Sequence, residues 1–297
     1  MMRVLNLKEG LKGIASLFAR STAFKLGFII FGLFFILVVL EPVINGYILK
    51  GKGVLKTGLF DKYLPPSLEH PLGTDHYGRD EFALLLSSLK YSLIIGVTSG
   101  GIAILIGTIM GTISGYCGGK VDLILDSITN GMLVIPSFPI LIAIAAYTRL
   151  NLILMCIVLA VFSWSWSART IRAQILSLKE RPYVELARVS GMNSYEIMFL
   201  EILPNMAPFI VMGFINSIMG AMFAETGLRV LGLGPGEIPS LGLMLSWALT
   251  FGAMSIGCYN LLLAPAGTLV LVFISLNLIN IGLEEIFNPR LKKITGL

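Results

Sequence analysis

The sequence predicts an all-α, polytopic membrane protein with about six transmembrane helices. Three observations carry that prediction. Of 297 residues, 56% are hydrophobic and only 13% are charged, where a soluble domain is roughly a quarter charged. The apolar residues come in long runs parted by short polar patches, and roughly 20 apolar residues cross a hydrocarbon core ~30 Å thick. The Lys and Arg lie in the patches between runs, where membrane topology puts them. The net charge of +5 is therefore no sign of a nucleic-acid partner.

Six spans follow in order. The first, 26–48, contains GFIIFGLFFILVVL. Its basic leader is long, and Glu41-Pro42 follows it rather than a small-residue cleavage site, so a retained anchor is expected. The second, 91–116, carries Gly107, Gly111 and Gly115 on one helix face. Such stripes let helices approach closely in lipid; a subunit interface and packing inside this chain are both open. The third, 123–147, has Asp122 and Asp126 at its start, and the fourth is 152–168. The fifth is 206–228 and the sixth 261–286.

One further run, LGLMLSWALTFGAMSIGCY at 241–259, is almost long enough to cross. A seventh crossing would place the basic C-terminal tail outside. An external, partly re-entrant segment is expected instead, held under protein cover because lipid offers irregular backbone no partners. Gly232, Gly234, Pro235, Gly236 and Pro239 mark the turn-rich stretch before it.

Orientation follows from the basic residues near span ends. Arg3, Lys8, Lys12, Arg20 and Lys25 precede the first span. Arg169, Arg172, Lys179, Arg181 and Arg188 lie between the fourth and fifth, and Arg290, Lys292 and Lys293 follow the sixth. An even number of spans puts all three groups on one side, the cytoplasm, with both termini. The opposite side receives 49–90, Arg149 and 229–260. The 49–90 loop balances its basic residues with Asp61, Glu69, Asp75, Asp80 and Glu81.

Catalytic and metal motifs are missing from the sequence. Neither Gly51-Lys52 nor Gly119-Lys120 completes G-x-x-x-x-G-K-[ST], and there is no HExxH, CxxC or GxSxG. Cys117, Cys156 and Cys258 are isolated and read as small buried hydrophobes. Ion-coupled carriers hold ionisable groups deep in the bilayer, whereas these span interiors are nearly free of charge. Glu225 and Arg229, at helical i,i+4 spacing, read as a structural pair. Asn130, Ser137, Asn216 and Ser217 are candidate pathway-lining residues, or bridges between helices. In HPLGTDHYGRD, 70–80, Asp80 is positioned to cap a helix starting at Glu81. His70 and His76 are expected to be structural rather than metal ligands.

The polar loop RTIRAQILSLKERPYVELARVSGMNSYEIMFLEILPN, 169–205, is the most informative segment. Pro182 suits a helix start. Leu186 lies on one face, with Glu185 and Arg188 beside it. Gly191 suits a left-handed helix end. Asn193 and Glu196 match a capping box opening a second helix. Pro204 begins the return to the membrane. The expected product is helix, glycine turn, helix, parallel to the bilayer.

Glu185-Leu186-Ala187, three residues, Gly191, then Leu203-Pro204 resembles the EAA loop of bacterial ABC importer permeases, E-A-A-x3-G-x9-I-x-L-P. Leu186 replaces the middle Ala and Glu201 the Ile. HPLGTDHYGRDEF is similar to the P-L-G-T-D-x-x-G-R-D signature of the dipeptide, oligopeptide and nickel group. GGKVDLILD, GLGPGEIPSLGLML and FNPRLKK also look like that group's second permease type; most relatives have Trp where Leu241 stands here. The resemblance runs from about residue 20 to 293.

That resemblance implies a type I ABC importer permease fold with cytoplasmic coupling helices. It implies a bacterial or archaeal plasma (inner) membrane location and a non-catalytic subunit without its own cofactor. ATP and Mg would sit on two ATP-binding cassette subunits. A homologous permease and an external solute-binding protein would complete the assembly. Peptides or similar-sized solutes, oligosaccharides among them, would be the cargo. Glu185, Ala187 and Gly191 would be the core of the coupling element. The expected organisation is 1–86 for the N-terminus, first span and external loop, 87–288 for the permease core, and 289–297 for a cytoplasmic tail. A secondary carrier working without ATPase partners is the alternative; it predicts intramembrane charge and inverted repeats.

Overall fold

A computed structural model describes residues 21–287. Among these there is no strand, only an isolated bridge between Thr74 and Asp80. The N-terminal basic residues from Arg3 to Arg20, and Arg290, Lys292 and Lys293 with the rest of the tail from 288, lie outside the described residues.

The first span is helix α1, Thr22–Leu49, capped by Ser21. After an irregular loop, α2 runs from Glu81 to Cys117, ten residues ahead of the expected start at 91. The boundary expected at residue 87 thus falls within a helix. The third span is broken: α3, Gly119–Val134, and α4, Ser137–Tyr147, meet at 73°. The reason is Pro136. Its ring keeps the preceding residue out of the helical region, and Ile135 is extended at φ −66, ψ 124. Five helices are long and apolar enough to cross a membrane, six if the bent pair is one span.

The fourth span, α5, does not stop at 168 but continues to Leu178. It absorbs Arg169 and Arg172, so the first third of the expected loop is helix. α6 is Pro182–Val189. The second loop helix is not separate either. α7, Ser194–Glu196, passes through a π-helical stretch, Ile197–Ile202, into α8, Leu203–Val230. There the Leu203 N–H reaches back to Met198 O. This wide turn stands just ahead of Pro204, whose ring crowds the carbonyl four residues back in a regular helix. α9, Leu241–Thr250, is too short to cross. α10, Asn260–Phe287, is the last span.

The tightest helix pair is α2 on α5, and the glycine stripe explains it. A Cβ on Gly107 would lie 2.6 Å from Ser167 Cβ, one on Gly111 2.5 Å from Ala168 O, and one on Gly115 3.0 Å from Arg172 O. The stripe is thus filled from within the chain. α1 packs on α10, where Phe24 joins Leu276 and Leu283. Cys156 is buried and Cys258 half-buried, but Cys117, at the end of α2, is exposed rather than a core hydrophobe.

One charged group stands inside the first span. Glu41, inside α1, is buried and accepts from Ser87 Oγ at 2.6 Å and Asn45 Nδ2 at 2.9 Å. Lys90 Nζ lies 3.0 Å from its other oxygen. The span interiors therefore do hold an ion pair, near the α1 end that leads into 50–80. A buried carboxylate persists where further hydrogen bonds satisfy its lone pairs; Ser87 and Asn45 supply them, while Lys90 is partly open to solvent.

Candidate functional site

The polar loop folds into a hook. Pro182 opens α6 at a position where its missing N–H is not needed. The helix closes on Gly191 at φ +86, with Gly191 N–H donating to Arg188 O at 3.0 Å and Met192 N–H to Ala187 O at 3.1 Å. That two-bond closure requires a left-handed residue. Asn193 then caps α7: its Oδ1 accepts from Glu196 N–H at 2.9 Å, and its own N–H donates to Glu196 Oε2 at 2.7 Å.

The hook has an inner and an outer face. Val184 and Ala187 are 0% and 7% exposed and pack on Ile175, Ile197 and Ile202. Leu186 and Val189 are 66% and 81% exposed, beside Tyr195 and Phe199 at 74% and 60%. Glu185 and Gly191 are exposed, Leu203 is half-buried and Pro204 exposed at the start of α8. Ala187, expected in the core of the coupling element, faces inward. Its small side chain seats the hook on the bundle and does not contribute to the outward surface.

A polar latch secures the same end of the bundle. Arg172 Nε and Nη2 meet both carboxylate oxygens of Asp122 at 2.6 and 2.7 Å. Ser114 Oγ donates to Asp122 at 2.5 Å, and Lys179 Nζ donates to Gly115 O at 3.1 Å. The planar fork of Arg suits two-point binding of a carboxylate. Through it α2, α3 and α5 are tied together where the hook begins. Asp122 was visible in the sequence, but its partner fifty residues away was not.

At the other end, Arg229 Nε lies 3.0 Å from Glu225 Oε1, and both residues are 1% exposed. Arg229 also donates to Pro235 O at 2.5 Å and Ile238 O at 3.2 Å. It thereby fixes the Gly/Pro turn ahead of α9.

The candidate pathway residues separate. Asn130 is exposed and donates to Asp126 at 2.9 Å. Ser137 is half-buried at the start of α4, past the bend. Ser217 is buried; its Oγ donates to Gly213 O at 2.9 Å and faces Ser167 Oγ at 3.3 Å. It bridges helices and does not line an open face. Asn216 is exposed and lines a cleft of about 490 Å³ between α8 and α10. Asn277, Asn280, Arg181 and Glu284 line it too, and Asn280 Nδ2 donates to Asn216 Oδ1 at 2.9 Å. An apolar groove around Gly220, Phe223 and Phe273 continues from Asn277. Asn277 and Asn280 were missed, although two amides three residues apart in an apolar span were a readable signal.

HPLGTDHYGRD forms a tight knot on α9. Asp80 Oδ1 accepts from Ala83 N–H at 2.8 Å, and His70 Nδ1 holds Oδ2 at 2.6 Å. Asp75 accepts from the Tyr77 and Arg79 N–H groups at 2.8 and 2.9 Å and pairs with the Arg79 guanidinium. Arg79 lies 4.0 Å over the Trp247 ring, and His76 stacks at 3.7 Å on Phe251. Burial holds the His76 imidazole down at about 4, against the pull of Asp75. Asn260 Nδ2 donates to Leu72 O at 2.6 Å and ties the knot to α10. Among the described residues, no group of three His, Cys, Asp or Glu side chains is placed to hold a metal ion.

With this geometry in view, comparison with known proteins is informative. Residues 103–293 match the family described as binding-protein-dependent transport system inner membrane component. The chain is 34% identical over 219 residues to the oligopeptide transport system permease protein of Lactococcus lactis subsp. cremoris, covering 73% of this chain and 74% of that one. It is 31% identical to the oligopeptide permease of Bacillus subtilis over 90% of this chain and 85% of the relative. To the dipeptide transport system permease of the same organism it is 30% identical, over 88% and 82%.

Proposed function

Because the chain belongs to the family of binding-protein-dependent transport system inner membrane components, as a multi-pass permease subunit of an ABC importer, we propose how it works in its assembly. It forms half of a translocation pathway, opposite a homologous permease. Two ATP-binding cassette subunits hold ATP and Mg and drive it from the cytoplasm, and an external binding protein delivers solute. Hook and termini face the cytoplasm of a bacterial or archaeal inner membrane. Peptides are the cargo, by analogy with the oligopeptide and dipeptide relatives. The secondary-carrier alternative is not favoured by this membership.

The observation that carries the reading is the two-faced hook. Exposed apolar side chains next to charge mark a protein-interaction surface, and Leu186 and Val189 on α6, with Tyr195 and Phe199 just past Gly191, are all exposed, as are Glu185 and Arg188. The inner face of the hook is packed on α5 and α8 through Val184 and Ala187. A push on the outer face therefore reaches two spans directly. The ATPase biases the pathway only by making different contacts with its two access states. The cleft between α8 and α10 supports a pathway on that face, since amides facing hydrocarbon would lack partners.

The test is reconstitution. The importer, isolated through a tag on this chain, should take up peptide into liposomes only with ATP on the hook side and the binding protein on the other. A proton ionophore should have no effect. Uptake by this chain alone would overturn the reading.

A further inference from the structure

The cleft between α8 and α10 is lined by three side-chain amides, Asn216, Asn277 and Asn280, and by two charges, Arg181 and Glu284, at its hook end. The charges are of opposite sign, so the cleft has no net charge. Its deep polar groups are neutral, and each amide both donates and accepts hydrogen bonds. Asn216 and Asn277 are exposed. Asn280 gives its Nδ2 to Asn216, while its buried Oδ1 has no hydrogen-bond partner. An unsatisfied buried carbonyl is costly. Turning the Asn280 amide toward the cleft that the residue lines would satisfy it against a donor on the solute.

We propose that Asn216, Asn277 and Asn280 hydrogen-bond the main-chain amides of the passing peptide, so that this half of the pathway reads backbone and ignores side-chain charge. An amide pairs with a main-chain N–H and C=O without regard to the side chain attached. A charged lining would instead favour one class of peptide and repel another. The proposal rests on the transport reading above and deepens it.

The experiment uses the assembled importer in liposomes with three tripeptides of equal length, one with neutral, one with cationic and one with anionic central side chain. Uptake is normalised to each peptide's affinity for the binding protein. The wild-type importer should move all three with similar normalised kcat/KM. Asn277→Ala should lower all three alike, by about 3- to 10-fold, the worth of one hydrogen bond. Asn277→Asp should lower the anionic peptide at least about 10-fold relative to the cationic one, through like-charge repulsion.

Asn277 is exposed and stands outside the Asn216–Asn280 hydrogen bond, so its variants carry the test even if Asn280→Ala does not assemble. Peptide uptake that is the same in wild type, Asn277→Ala and Asn277→Asp overturns this proposal alone. A wild-type importer that moves none of the peptides with ATP overturns the transport reading, and this one with it.

Discussion

Replacing Gly191 isolates what the hook's shape contributes, because nothing else is disturbed. Its φ is +86, and an added Cβ would meet no atom within 4 Å. A substitution there encounters no steric wall, only its own backbone preference. Left-handed backbone costs an L-residue roughly 1–2 kcal/mol. Asn tolerates it best, Ala less well, and a β-branched Val worst. A cost of that size lowers the closed-to-open ratio of the hook about 5- to 30-fold. It leaves α5 and α8 intact, since Val184, Ile197 and Ile202 keep their packing.

The predicted order for stimulation of ATP hydrolysis by loaded binding protein is therefore Gly191, then Gly191→Asn, Gly191→Ala and Gly191→Val. The thermal stability of the purified permease should be nearly equal across the set. Basal hydrolysis should persist in Gly191→Val while its response to the binding protein is lost. Equal stimulation in Gly191→Val and Gly191→Asn would show that the left-handed turn at Gly191 plays no part in coupling.

Other perturbations separate the remaining parts. In the latch, Asp122→Asn and Arg172→Met should show a coupling of about 1 kcal/mol in a double-mutant cycle of unfolding; purely additive effects would mean that α3 is not tied to α5 through this pair. Gly111→Leu should overpack the α2–α5 contact, where a Cβ already falls 2.5 Å from Ala168 O, and cost about 1–3 kcal/mol of thermal stability. Arg229→Lys loses the fork that reaches Glu225, Pro235 and Ile238 and should raise hydrogen exchange in 231–240 without disturbing the hook. His76 sits at about 4 when docked, against an ordinary 6.5. Between those values the released loop takes up a proton that the docked loop does not. Knot stability is therefore full above pH 6.5, falls as pH drops toward 4, and should be seen as lower exchange protection factors in 49–80, rates being divided by the intrinsic rate at each pH, at pH 5 than at pH 7. His76→Phe, which keeps a ring against Phe251, should remove that dependence.

How far the sequence disclosed this molecule depends on the range of each interaction. The hook was readable because its signals are local. Pro182, Gly191 and the Asn193–Glu196 box each act within four residues, and the helix boundaries follow from them. The Asp80 cap and the Glu225–Arg229 pair are local in the same sense. Span existence was equally plain from hydropathy. Span ends were not: α5 runs on through Arg169 and Arg172 because Arg172 finds Asp122, a partner fifty residues away. The partners of Glu41 were hidden for the same reason, since Ser87 and Lys90 lie on another helix. The bend at Pro136 was legible in principle, because proline restricts the residue before it. The direction each side chain faces was not legible. Ala187 turns inward and Ser217 into a helix contact, because packing partners decide orientation.

If this chain is moved through the outer face of its hook, site-specific crosslinking will catch the contact. Single cysteines at Leu186, Val189, Val184 and Ala187, in a Cys117→Ser, Cys156→Ala, Cys258→Ser background, would be tested in the assembled importer for adducts with the ATP-binding cassette subunit. Adducts are expected from Leu186→Cys and Val189→Cys, with ATP-dependent uptake lost on crosslinking, and none from Val184→Cys or Ala187→Cys. Adducts from the buried pair instead, or none from any position in an importer still taking up peptide, would contradict movement through the outer face.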